Sequence, residues 1–299
     1  MEENGLPEHE QRDIDIKSGN YVENVGKNYY EIKYEINAET VNIGENLNSN
    51  ISEIAEEQAS LQPQERQEKF NPFIYLNGRI DDPKLVFGRD KEIRRIFELL
   101  NIGSSVAIIG EPEIGKSSLL RVIEEQADCE LAIPRRPIYL NLGEVYDEDD
   151  FYFFLCDLIG IPECKGFRLS RELRKHQLLL ILDNVEKMAW EGFTNQIRSQ
   201  IRALAEGNNA PLRLVIAADK PLNQLFRDGG MVSPFENVCI EESISAWGEQ
   251  RMRGFIDYHL QNNAISFTEA EIIRIILEAK GHPKKVMNLC YQIYNNYLQ

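Results

Sequence analysis

The chain has 299 residues, 42% of them hydrophobic, with 33 basic against 49 acidic side chains and a formal net charge of −16. That length holds one large or two modest domains, and the charge disfavours nucleic acid as a partner, because a sequence-independent grip on phosphates needs a basic stripe. Five scattered cysteines without a Cys-x-x-Cys pair, an acidic amino end and apolar runs of only strand length exclude a disulfide framework, a zinc-finger pattern, a signal peptide and a membrane span; the expectation is a cytoplasmic protein with reduced thiols.

The first 20 residues are polar, and residues 1–85 carry 18 acidic against 8 basic side chains, so most of the excess charge lies in the front of the chain. A quasi-repeat follows. Gly19 to Val25 (GNYVENV) is echoed by Gly26 to Ile32 (GKNYYEI), and alternation of apolar and polar residues continues to Val41. Period-two alternation with tyrosine, valine and isoleucine predicts short half-buried strands. So few strands bury no core alone, which implies that residues 19–61 associate with copies of themselves, with a protein partner or with the rest of the chain. Ile43, Leu47, Ile51, Ile54 and Leu61 fall near helical spacing and predict an amphipathic helix over 45–61, followed by a polar linker over 62–72.

From about Asp81 strands and helices alternate. Asp90 is placed to cap a helix carrying Ile93, Ile96, Phe97 and Leu100. Residues 104–109 are an apolar strand. The segment Gly110-Glu111-Pro112-Glu113-Ile114-Gly115-Lys116-Ser117-Ser118 then matches G-x-x-x-x-G-K-[ST] and opens a helix through Leu119, Leu120 and Val122. Glycines let such a loop curl so that successive N–H groups face phosphate oxygens at the positive end of a helix. Lys116 is expected to reach the outer phosphates and Ser117 a magnesium ion. The same glycines also suit a turn that binds nothing.

A strand over 137–142, a helix over 149–159 and a second apolar strand, Gln177 to Asp183 (QLLLILD), come next. Consecutive aliphatics describe a strand buried on both faces of a parallel sheet, and ligands bind at the carboxyl ends of such strands. Asp183 is therefore expected beside the loop as the second magnesium ligand, although an acid there also suits a helix cap. A helix over 187–205, a strand over 212–218 and a short strand over 238–240 complete an α/β sheet sandwiched by helices. The strand at 137–142 interposed between loop and acid marks the additional-strand ATPases rather than the simpler kinases. Helices over 246–261, 268–280 and 284–298, the second with a Thr268/Glu271 capping box, predict a small helical lid. Trp190 and Trp247 sit on apolar helix faces as expected core residues. The predicted organisation is an acidic module at 1–70, a nucleotide-binding α/β domain at 71–243 and the lid at 244–299.

In this order the residues over 80–299 resemble the signal-transduction ATPases with numerous domains, the STAND group of AAA+-like P-loop NTPases. Phe87-Gly88-Arg89-Asp90 resembles the group's glycine-arginine-acid segment, whose backbone lies against adenine. Gly281-His282-Pro283 resembles its glycine-x-proline nucleotide contact, and Pro221 to Phe226 with Ser233-Pro234-Phe235 resembles the exit of its fourth strand. The resemblance implies ATP or ADP with magnesium as cofactors and a switch that changes assembly or partner contacts.

Two departures bear on turnover. The family usually follows the magnesium aspartate with a second acid, whereas this chain has Asn184, which holds a water but takes no proton; Glu186 is the candidate replacement for that water-positioning role. Relatives often end the fourth strand in a phosphate-sensing serine-arginine pair, whereas Ala218-Asp219 here brings a like charge toward phosphate. The reading is thus an ATP-binding switch with slow or absent hydrolysis. Its rivals are a constitutive scaffold with a vestigial site and an active AAA+-type ATPase.

Overall fold

The computed structural model describes residues 21–25, 28–32, 70–75, 77–226, 235 and 238–299, and the chain divides into two units, Met1–Arg66 and Gln67–Gln299. In the first unit, β1 (Tyr21–Val25) and β2 (Asn28–Ile32) form an antiparallel pair with Tyr21 opposite Ile32 and Val25 opposite Asn28. Each strand carries one copy of the quasi-repeat. The expected alternation to Val41, the helix over 45–61 and most of the linker lie outside the described residues.

The second unit is built on a five-stranded, all-parallel sheet: β3 (Ser105–Ile109), β4 (Arg136–Asn141), β5 (Leu178–Asp183), β6 (Leu212–Ala218) and β7 (Cys239–Ser243). The spatial order is β4-β5-β6-β3-β7. Every residue of β3, β5 and β6 is buried, as a strand with helices on both faces requires. The strand interposed in the sequence, β4, stands at the sheet edge; it is β6 that separates the loop-bearing β3 from the acid-bearing β5.

Helices cover both faces: α1 (Asp90–Asn101), α2 (Lys116–Glu130), α3 (Glu148–Ile159), α4 (Gly166–Leu173), α5 (Asn195–Ala205) and the single turn α6 (Leu222–Leu225). Asp90 is the first residue of α1 rather than its cap; Arg89 holds the cap position without a side-chain bond, and Asp90 acts on the positive helix end as a first-turn acid. The single helix expected over 187–205 is two pieces, a 3-10 turn over Val185–Ala189 and α5, whose Thr194 cap accepts the Gln196 N–H. Trp190 falls in that break and is 61% exposed, with Lys187 Nζ 4.5 Å from its ring centroid, so it is not a core residue. Helix α4 was not anticipated.

Beyond β7 come α7 (Glu249–Leu260), α8 (Glu269–Ala279) and α9 (Pro283–Leu298), with the capping box of Thr268 and Glu271 formed. Their shared core includes Trp247, Phe255, Ile275, Val286, Cys290 and Tyr294. At its centre is a residue from far upstream: Phe73, 1% exposed, stacks on Phe267 and meets Phe255 and Tyr294. Asn71 donates to the carbonyl of Tyr291 and to Asn295 Oδ1. The end of the expected linker is therefore a docked strap, held by an aromatic anchor and an amide that charge and polarity did not advertise. Among the described residues no helix is long and apolar enough to cross a membrane.

Candidate nucleotide site

The P-loop joins β3 to α2 at the carboxyl edge of the sheet. Gly110 N–H is held by Ala218 O at 3.1 Å, which ties the start of the loop to the end of β6. Gly115, at φ +100°, adopts the left-handed backbone that turns the chain into α2 and leaves the helix's first N–H groups facing outward. Glu113 also sits at positive φ, +62°, where a residue with Cβ is disfavoured. Lys116 Nζ donates to the carbonyls of Gly110 (2.8 Å) and Glu111 (3.0 Å), so the ammonium lies curled over its own loop. Burial lowers its pKa, opposed by the charges of Glu186, Asp219 and Asp183.

A cavity of about 420 Å³ opens over this loop. Its walls contain the loop residues Pro112, Glu113, Ile114, Gly115, Lys116, Ser117 and Ser118, with Asn184, Glu186 and Asp219 from the sheet ends. Phe87 and Arg89 enter from the segment before α1, and Trp247, Phe255, Pro283, Lys284 and Met287 from the helical segment. Of the expected residues, Gly88, Gly110, Glu111 and Asp183 stand outside that lining. Ser118 contributes a wall, but its hydroxyl accepts the Ile80 N–H at 2.9 Å. The sequence offered no signal for Asn77 to Ile80, Leu85 and Val86, which close one side as the continuation of the strap.

Asp183, 2% exposed, ends β5 opposite Asn141 of β4. Tyr139 donates to Asp183 Oδ2 at 2.8 Å, Arg79 Nη1 in turn donates to the Tyr139 hydroxyl at 3.0 Å, and Arg121 stacks on the Tyr139 ring at 3.7 Å. Burial and the Asp183 carboxylate push the Tyr139 phenol well above its ordinary range, so it remains a donor that fixes the carboxylate. Asn184, exposed and at φ +56°, turns its amide to Asn141 Oδ1 at 2.8 Å. Glu186 accepts the Asp219 N–H, and burial, reinforced by the Asp219 charge, raises its carboxyl above the usual glutamate range. Asp219 Oδ1 is buried and has no hydrogen-bond partner among the described residues.

Arg89 is a staple rather than a surface residue. Its guanidinium, 3% exposed, donates to Ile114 O of the loop at 3.0 Å, to Ser245 O at 3.2 Å and to Glu92 at 3.0 Å, and Glu92 also pairs with Arg251 of α7. One ion cluster thus links loop, sheet exit and helical segment. A further bridge joins an acid of the loop to the first turn of α9, Lys284 to Glu113 at 2.5 Å, and in the turn between α8 and α9 His282 Nε2 lies 3.5 Å from Glu111. The turn itself needs Gly281: a Cβ there would lie 2.3 Å from Trp247 O, and Gly281 O accepts the Trp247 N–H at 2.8 Å.

A parallel sheet of this order, with the loop and its lysine at the carboxyl edge, is the architecture of P-loop NTPase domains. The family model described as the 50S ribosome-binding GTPase matches residues 105–218, the stretch from β3 through β6. No curated protein matches the chain. Among solved structures, a Walker-type ATPase of Pyrococcus abyssi superposes with a TM-score of 0.59 at 15% identity, over 75% of this chain and 72% of that one. The ORC2 protein of Aeropyrum pernix, solved as ADPNP-ADP complexes, gives 0.54 at 15% identity over 75% and 64%. The ORC1 protein of the same organism, solved with DNA, gives 0.53 at 14% identity over 71% and 62%, so the chain spans less than two thirds of each of these two. At such identities the likeness is one of fold.

Proposed function

We propose that the chain is an ATP-binding switch of the STAND type, in which nucleotide bound between sheet and lid sets the position of residues 244–299 and thereby assembly or partner contacts through residues 19–61. In this reading residues 1–70 are the effector module, 71–243 the nucleotide-binding domain and 244–299 the lid. The observation that carries it is the composition of the cleft: one cavity has walls from the phosphate loop, both strand ends, the strap and the helical segment, so a ligand there touches sheet, strap and helical segment at once.

Gly110 to Ser118 cradle the phosphates, with Lys116 swinging from the loop carbonyls to the outer phosphates. Phe87, Arg89 and Pro283 border the base, and Gly88, outside the cavity lining, sets the turn between the first two of them. Ser117 and Asp183 supply one hydroxyl and one carboxylate, hard oxygen donors that fit magnesium, which takes its remaining ligands from phosphate and water. Bound there, the ion would neutralise phosphate charge. Turnover is slow because Asn184 cannot accept a proton and is turned to Asn141, while Asp219 faces the region of the outer phosphates with a negative charge.

Titrating ATP, ADP and GTP with and without magnesium, alongside phosphate release and native mass, tests the reading. ATP or ADP binding with little release, and a nucleotide-dependent subunit count, is the expected outcome; no binding of any of them at millimolar concentration ends it. The Glu186 carboxylate on the cleft wall favours a second reading, an active ATPase with Glu186 as base. Robust turnover lost in Glu186→Gln would select it.

A further inference from the structure

At the opposite, amino-terminal edge of the sheet the structure holds two buried arginines that no ion pair explains. Arg135, just before β4, is 7% exposed, and Arg213, on β6, is 3% exposed. Arg135 donates from Nη1 to the carbonyls of Leu178 and Pro211 and from Nη2 to that of Ala210. Arg213 donates to the carbonyls of Ala205, Gly207 and Asn208, closing the carboxyl end of α5. Among the described residues neither has a carboxylate within ion-pair distance. Carbonyl dipoles satisfy donors but leave two full charges in place, and buried charge without a counter-ion is costly. Burial lowers the pKa of both, and the Arg213 charge helps bring Arg135 to about 10, so the two groups sense each other.

The two side chains line a cavity of about 180 Å³ together with Asn101, Gly103 and Asn208, and its remaining wall is apolar, with Leu100 and Leu131. That volume is well below the roughly 300 Å³ at which sites for drug-sized ligands begin, yet ample for a tetrahedral ion with a few waters. The Nε–H groups of both arginines and the second Nη2–H of Arg135 have no acceptor among the described residues. We propose that this pocket binds a small dianionic oxyanion of the phosphate class, held by Arg135, Arg213 and Asn208. Two guanidinium charges match a dianion, the free donors suit several oxygens at once, and apolar walls strengthen the attraction. The pocket draws on the loops before β3, β4 and β6, so its occupant would pin three connections of the sheet that the nucleotide cleft does not touch.

The proposal stands apart from the nucleotide reading, and its test separates them by location. Inorganic phosphate is titrated into the full chain at constant ionic strength while amide hydrogen exchange is followed. Phosphate-dependent protection at 207–211 and 131–136 is expected, alongside any at 110–118. In Arg135→Gln the phosphate concentration giving half protection at 207–211 should rise about tenfold or more, the scale of one lost charge-assisted hydrogen bond. Protection confined to 110–118, or an unchanged midpoint in Arg135→Gln, overturns the assignment. Should that variant fail to fold, the wild-type map decides alone: no protection at 207–211 is the overturning result.

Discussion

Lys284 and Glu113 stand 2.5 Å apart, ammonium to carboxylate, and join the first turn of α9 to a phosphate loop whose Glu113 is itself held at positive φ. With His282 Nε2 3.5 Å from Glu111 as well, the loop's own acids are turned toward the start of α9. Both Lys284 and Glu113 are partly exposed, so water screens the pair and its contribution to stability is no more than ~1 kcal/mol. Glu113→Gln should therefore change the urea midpoint little while speeding release of bound ADP, measured by stopped-flow with a fluorescent analogue. An unchanged release rate would mean that the bridge does not retain the nucleotide.

Lys116→Ala removes the ammonium that donates to the loop carbonyls of Gly110 and Glu111. Because the fold around it is carried by backbone bonds and by the Arg89 staple, the variant should melt like the wild type in the absence of ligand and lose ATP and ADP binding by calorimetry. Altered partner contacts would follow if the switch reading holds; a scaffold would keep them.

Asp219→Ser deletes a charge on the cleft wall near Lys116. Relief of repulsion on the order of 1 kcal/mol corresponds to a several-fold gain in ATP affinity relative to ADP. Competition binding at fixed magnesium reads the ratio directly, and equal ratios in variant and wild type would place Asp219 out of range of the terminal phosphate.

Glu186 sets a pH dependence. Its folded-state pKa is raised by burial and by Asp219, so the native state holds its proton more tightly than the unfolded chain does. The associated stability is complete below the unfolded glutamate value near 4.5 and is lost as pH rises through the folded value. Glu186→Gln keeps an oxygen to accept the Asp219 N–H and should flatten that decline, as seen in urea unfolding free energies taken across mildly acidic to neutral pH.

Phe73→Ala empties the centre of the helical segment's core, where large-to-small changes at buried aromatic positions cost about 3–5 kcal/mol. Denaturant unfolding followed by near-ultraviolet signals should show the loss. A variant as stable as the wild type would show that the strap is merely draped over the helices.

Much of the sheet was legible because burial on both faces writes itself into sequence as uninterrupted aliphatics: 104–109, 177–183 and 212–218 are strands within a residue or two. The phosphate loop was legible because its backbone demands glycine at fixed spacing. What stayed hidden depends on long-range partners. Phe73 looks like any apolar residue in a polar stretch until the helices that cover it are folded. Tyr139 reads as one position of a half-apolar strand, and only the β4–β5 register sets its hydroxyl on Asp183. The break after Val185–Ala189 was missed because apolar spacing continued through it, while Gly192 and the Thr194 cap carried the opposing local signal. Arg135 and Arg213 look like surface charge in a sequence, since nothing in a string of letters reports that carbonyls from the α5–β6 connection and the start of β5 converge on them.

The strap sets a leash length. One end is sunk among the aromatic rings of the helical segment at Phe73, and the other is tied by the Ile80 N–H to Ser118 on α2. Seven residue steps lie between, a reach of about 25 Å when fully drawn out. However the two parts swing, they cannot separate beyond that span without tearing out one of the anchors, so the amplitude of any opening is written into the chain ahead of the first helix.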